Sequence, residues 1–70
     1  MQTLNLLDVV VLTEDVPEEK LRRGALGTVV EEFGGDSFLV EFADPQGVTY
    51  AMPILTAHQL LKVHYEPQEA

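Results

Sequence analysis

Gly27-Thr28-Val29-Val30-Glu31-Glu32-Phe33, Gly34-Gly35-Asp36 and Ser37-Phe38-Leu39-Val40-Glu41-Phe42 follow one another without interruption, and their reading decides the fold. Both outer runs are rich in β-branched and aromatic residues, the composition that suits a pleated, half-buried surface. The Gly-Gly-Asp between them tolerates positive φ, which matches the twist of paired strands and predicts a hairpin. In the second run Phe38, Val40 and Phe42 alternate with Ser37, Leu39 and Glu41, so a period of two turns the aromatic face inward.

The same reasoning extends in both directions. Downstream, Asp44-Pro45-Gln46-Gly47 has Pro at the second and Gly at the fourth position of a turn, and Val48 to Met52 follows as a fourth strand. Pro53 limits that strand, because it has no N–H for a ladder bond. Thr56 to Gln59 reads as a single 3₁₀ turn before a short closing strand, Leu60 to His64. Upstream, Asp8-Val9-Val10-Val11-Leu12 is a first strand of the fully buried kind. Thr13 to Gly27 is then a long polar excursion holding one short helical turn at Asp15-Val16-Pro17-Glu18-Glu19, with Asp15 as candidate N-cap and Pro17 near the first helical position. Gly24 and Gly27 end the excursion and supply the backbone freedom for re-entry into the sheet.

Five short strands, a long first loop, tight central hairpins and a 3₁₀ turn before the last strand are the order of an SH3-like barrel. The expectation is therefore an all-β, five-stranded barrel over residues 1–65, with 66–70 a frayed tail. An OB-like barrel also has five strands, but no segment here reads as its usual helix between the third and fourth. Val10, Val29, Phe38, Val40, Phe42 and Leu60 are the expected core.

A chain of 70 residues without cysteine has neither a disulfide framework nor a cysteine-ligated zinc site, so aliphatic burial must hold it. Apolar residues at 46% against 23% charged are ordinary globular usage and argue against wholesale disorder. No apolar stretch approaches the ~20 residues of a membrane helix, and the N-terminus lacks a basic segment followed by an apolar one, which points to a cytoplasmic protein. Twelve acidic against four basic side chains give a formal net charge of −8. Such a surface is repelled by phosphate backbones and anionic lipids, so nucleic acid and membrane are disfavoured as partners and a protein with a basic patch is favoured.

Enzyme chemistry finds no constellation. His58 and His64 are six apart, unlike the four-residue spacing of a helical zinc pair, and no third ligand set accompanies them. Ser37, the single serine, has no sequence neighbour that would activate it. The acid pairs Glu14-Asp15, Glu18-Glu19 and Glu31-Glu32 read as solvated faces, since a domain this small offers no cleft to set two carboxylates across. Gly24 and Gly27 lack the Lys-Ser/Thr ending of a phosphate loop. The expectation is thus a chain with no catalytic residue, no metal and no cofactor.

The excursion carries the functional reading. Clustered charge there would speed encounter with an oppositely charged partner, and the candidate partner contacts are Glu14, Asp15, Glu18, Glu19 and Tyr50. The competing view is that these acids keep a small β protein soluble, partly neutralised by Lys20, Arg22 and Arg23. Proline-peptide recognition needs an aromatic-lined groove, which a chain without Trp and with only Tyr50 and Tyr65 does not offer. A homo-oligomer through Leu4, Leu6 and an exposed sheet edge is a further arrangement the residues allow.

Leu6-Leu7-Asp8-Val9-Val10, Leu12-Thr13-Glu14-Asp15, Pro17-Glu18, Leu21, Gly24, Gly27-Thr28-Val29-Val30 and Val40-Glu41-Phe42, with Leu55, Ala57 and Gln59-Leu60 near the end, resemble the short bacterial proteins grouped as a domain of unknown function, DUF4926. The resemblance covers nearly the whole chain and implies a stand-alone small barrel with no assigned activity. Its association with toxin-like neighbours implies an antitoxin or immunity type of role. A weaker likeness to SH3-like accessory subunits of photosynthetic electron transport implies the alternative, an accessory or structural subunit of a larger complex. Those subunits tend to need basic patches, whereas this chain has only Lys20, Arg22, Arg23 and Lys62. The Gly27-Thr28-Val29 corner is also similar to the KOW element of ribosome and transcription proteins, whose RNA binding the acidity here opposes.

Overall fold

The computed structural model describes residues 3–64 and is all-β apart from two 3₁₀ turns. Its strands are β1 (Val9–Leu12), β2 (Leu26–Glu32), β3 (Ser37–Ala43), β4 (Thr49–Ala51), β5 (Ile54–Thr56) and β6 (Leu60–Lys62). The 3₁₀ turns are Pro17–Glu19 and Ala57–Gln59. All pairings are antiparallel, and the strands run β4-β3-β2-β1-β6 with β5 also on β3. The expected frayed tail, 66–70, lies outside the described residues.

The expected strands and both 3₁₀ turns are present, with three differences of detail. First, the residues after the Asp44 turn form two strands rather than one. Phe42 lies opposite Ala51 and Leu39 opposite Ile54, so from Ala51 onward β4 and β5 keep one register along β3 and behave as a single strand interrupted at Met52-Pro53, while Thr49 has slipped by one residue to lie opposite Ala43. Pro53 has no N–H to give, yet its carbonyl accepts the Val40 N–H at 3.0 Å, and its ring is buried. The proline costs one donor and leaves the strand's path intact. Second, among the described residues no ladder joins β6 to β4 or β5, so the sheet is not closed into a barrel by continuous pairing. Third, β2 carries an irregularity at Val30, where the register slips between Val29 and Glu31; an extra residue of this kind bends and twists a strand.

All six expected core residues are buried, and Leu4, Leu12, Val16, Leu21 and Leu55 join them. The additions change two expectations. Leu4 is only 5% exposed, so it is part of the core and not available for self-association, while Leu6 beside it remains 54% exposed. Val16 and Leu21 exchange backbone hydrogen bonds at 2.9 and 3.1 Å with both side chains buried, which closes the excursion into a small hairpin around its 3₁₀ turn. That turn has Pro17 at its start and Val16, not Asp15, at the N-cap position.

Gly27 plays a different part from the one its neighbourhood suggests. Its φ is not positive, unlike that of Gly24 at +96°. A Cβ on Gly27 would lie 2.7 Å from Val40 Cγ1, 2.9 Å from Phe42 Cε2 and 3.1 Å from the Glu41 carbonyl. The residue is glycine because β3 packs over it. Gly27→Ala is expected to destabilise the domain by about 1 to 3 kcal/mol through overpacking, and Phe42→Ala by about 3 to 5 kcal/mol through the cavity left behind. Urea denaturation followed by circular dichroism measures both; a neutral Gly27→Ala would show that the close approach is not a constraint.

Candidate functional site

The excursion leaves β1 at Leu12, whose carbonyl accepts the Gly24 N–H at 2.7 Å and whose N–H donates to the Ala25 carbonyl at 2.9 Å. Its start is tied to the second 3₁₀ turn. Thr13 donates its N–H to the Gln59 carbonyl at 2.9 Å and its hydroxyl to the His58 carbonyl at 3.2 Å. Gln59 Nε2 donates to Glu14 Oε2 at 3.3 Å, while Gln59 Oε1 accepts the Thr56 N–H at 2.9 Å. Asp15 Oδ1 accepts the Arg23 N–H at 2.8 Å, pinning the two ends of the excursion together. Glu14 and Asp15 are therefore engaged in holding the loop's shape.

Glu18 and Glu19 are exposed in the first 3₁₀ turn and hold no side-chain hydrogen bond or ion pair among the described residues. They share their surface with cations. Thr13, Glu14, Asp15, Arg22 and Arg23 line an open depression of about 760 Å³, and Asp15, Pro17, Lys20, Leu21 and Arg22 line a smaller one of about 370 Å³. Four acids against three cations leave the excursion with a net charge of −1, so its field is weak beyond the ~10 Å over which salt screens it. Tyr50, the fifth candidate, is 55% exposed in β4, at the far end of the strand order, whereas the excursion's hydrogen bonds run to β1 and the second 3₁₀ turn. The four acids share one excursion, and Tyr50 lies on a strand with which that excursion exchanges no hydrogen bond among the described residues.

The charge lies elsewhere. Residues 24–61 contain Glu31, Glu32, Asp36, Glu41 and Asp44 and not one Lys or Arg. Asp44 is occupied in its turn, accepting the Gln46 and Val48 N–H groups on Oδ1 at 3.0 and 2.9 Å, and Glu41 accepts the Thr49 hydroxyl. Glu31, Glu32 and Asp36 are exposed without a side-chain partner among the described residues. Beside them the outer face of the sheet is apolar: Tyr50, Met52 and Ile54 are 55, 49 and 63% exposed, while Ala51, Pro53 and Leu55 between them turn inward. That alternation is visible in the sequence from residue 50 to 55 once Pro53 is allowed an inward place in the strand. Reading proline as a strand end hides it.

The remaining charged and imidazole side chains among the described residues are Asp8, His58, Lys62 and His64. His58 Nδ1 lies 3.1 Å from Thr56 Oγ1 at the exposed second 3₁₀ turn, and His64 is exposed beyond β6. Lys62 Nζ is 3.4 Å from Asp8 Oδ2. Among the described residues no three His, Asp or Glu side chains are placed to hold a metal ion, and no helix is long and apolar enough to cross a membrane.

A family model described as domain of unknown function, DUF4926, matches residues 6–62. The chain belongs to that family. The DUF4926 match runs from Leu6 to Lys62, the last residue of β6, and so takes in the whole ladder and the excursion. No curated protein and no solved structure matches the chain.

The DUF4926 match begins in a turn with an unusual backbone. Asp8 donates its N–H to the Asn5 carbonyl at 3.1 Å, the Asn5 N–H donates to Asp8 Oδ2 at 2.8 Å, and Leu7 sits between them at φ +71°. A left-handed conformation costs a leucine roughly 1 to 2 kcal/mol, and the Leu7 side chain is 73% exposed, recovering little by burial. Leu7→Gly is expected to stabilise the fold by up to about 1 kcal/mol, the gain being reduced by glycine's greater freedom when unfolded. A fall in melting temperature of the variant would show that Leu7 contributes contacts exceeding that strain.

Proposed function

We propose that this protein is a non-enzymatic binding module, working in the cytoplasm, that recognises a protein partner bearing a basic patch, in the manner of an antitoxin or immunity protein. The observation that carries the reading is the distribution of charge: a net −8 whose cations are confined to Lys20, Arg22, Arg23 and Lys62, leaving residues 24–61 uniformly acidic. A one-signed surface of this kind raises the rate of encounter with an oppositely charged partner and rejects polyanions. Glu14, Asp15, Glu18, Glu19 and Tyr50 remain candidate contacts, with Glu31, Glu32, Asp36 and Glu41 added to them.

The test is kinetic. Once the native partner has been captured by cross-linking in the cell, two variants remove the same number of charges: one changes Glu14, Glu18 and Glu19 to Gln and Asp15 to Asn, the other Glu31, Glu32 and Glu41 to Gln and Asp36 to Asn. Amide oxygens still accept the hydrogen bonds of Glu14, Asp15 and Glu41, so both variants are expected to fold. Surface plasmon resonance at two salt concentrations is expected to show association slowed roughly tenfold at low salt for the second variant, less for the first, with a flattened salt dependence for both. Unchanged association rates and affinities would assign all these acids to solubility. A gel-shift titration is expected to show no binding of DNA or RNA at physiological salt, because counterion release needs Lys and Arg side chains that residues 24–61 do not have.

A further inference from the structure

Antiparallel register sets the outer face of β2, β3 and the β4–β5 strand out as a grid. Glu31 lies opposite Leu39, which lies opposite Ile54; one step along, Thr28 lies opposite Glu41, and the register shared by β4 and β5 continues that row to Met52. Tyr50, two residues before Met52, is the extra residue where the β3–β4 register slips, and it is exposed as Met52 is. Three exposed apolar side chains and the half-buried Leu39 thus lie next to Glu31 and Glu41, on a part of the chain with no Lys or Arg. A face of exposed Tyr, Met and Ile costs solubility unless something covers it. The adjoining acids say what that is: a second copy would bring Glu31 and Glu41 against like charges, whereas a cationic segment would neutralise them.

We propose that this face, formed by Leu39, Tyr50, Met52 and Ile54 and bordered by Glu31 and Glu41, is the contact surface for a basic amphipathic segment of a partner protein. The proposal rests on the reading of the chain as a binder of a basic partner and gives that partner its chemistry. Apolar side chains of the segment seat on Ile54, Met52 and Tyr50, excluding water. Its Lys or Arg side chains meet Glu31 and Glu41, which fix the register of the bound segment and reject acidic competitors. Asp36 and Glu32, exposed at the β2–β3 end, extend the attraction beyond the contact itself.

The experiment uses the full-length protein, labelled with ¹⁵N, and two soluble probe peptides of equal length and charge, one alternating Lys and Leu and the other Lys and Ser. With the Lys-Leu peptide, amide shifts are expected at residues 39–41, 50–52 and 54, with affinity about tenfold higher than for the Lys-Ser peptide. Changing Met52 and Ile54 together to Ser is expected to remove that tenfold advantage, while thermal melting confirms that these exposed substitutions leave the fold intact. Shifts confined to residues 13–23, or equal affinity for the two peptides, would overturn the face and leave the basic-partner reading standing. Binding of neither peptide would overturn both. A concentration-dependent dimer in sedimentation, abolished by the same two substitutions, would assign the face to a second copy instead.

Discussion

Phe42 rests its ring on a place in β2 that has no side chain, and the rest of the sheet is arranged around that approach. Gly27 lies opposite Val10 on β1, and Val29, two residues on, lies opposite Val40 on β3. Three strands therefore converge where Val10, Val29, Val40 and Phe42 are fully buried. Such a close approach of β3 side chains to β2 needs an inward position without a side chain, and Gly27 is that position. The slip at Val30 adds twist just beyond it. With no disulfide to assist, this packing has to supply most of the stability, which in so short a chain is small in any case.

β3 is the element the others share, pairing with β2 along one side and with both β4 and β5 along the other. Its identity was legible because a central strand repeats its pattern most completely: Phe38, Val40 and Phe42 inward, Ser37, Leu39 and Glu41 partly exposed. The strand beside it was legible only in part. Pro53 speaks for a strand end when a proline is judged by the donor it lacks, but here the group that matters is its carbonyl, which accepts the Val40 N–H. Which of two backbone groups a ladder needs depends on register, and register is set by both strands together. The same holds for Gly27: sequence can show that a residue is glycine, whereas the reason, a neighbouring ring at 2.9 Å from the missing Cβ, belongs to the partner strand.

Net charge has a similar blind spot, being a sum without positions. The run of acids from Glu14 to Glu19 stands out because they are close in sequence, yet Lys20, Arg22 and Arg23 follow directly and line the same depressions as Glu14 and Asp15. Glu31 and Glu41 are ten residues apart and draw no notice as a pair, although their strands are hydrogen-bonded neighbours with no cation nearby in the chain. Two of the candidate acids also have internal duties that their spacing does not announce: Asp15 binds the Arg23 N–H and Glu14 binds Gln59. A carboxylate already accepting hydrogen bonds from its own fold is held in place and partly neutralised, which makes it a poorer long-range attractor than Glu31, Glu32 or Asp36.

Stability alone does not account for the surface this fold presents. A domain of this size has a few kcal/mol to spare, so a left-handed leucine at position 7 weighs measurably against it, while Tyr50, Met52 and Ile54, about half exposed, gain little from folding and cost solubility. The two regions are set differently. Leu7 is held by hydrogen bonds on both sides, from its own N–H to the Val29 carbonyl and between Asn5 and Asp8, and no contact in the described fold explains why that turn carries leucine instead of glycine. The β4–β5 strand, by contrast, needs outward side chains wherever its inward ones, Ala51, Pro53 and Leu55, face the core, and polar residues would satisfy that need equally well. Apolar residues at three successive outward positions of an edge strand, 50, 52 and 54, next to acids without a countercharge among the described residues, combine two costs on one face. A partner that is both apolar and basic removes both costs in one step, whereas neither solvent nor a second acidic chain removes more than one.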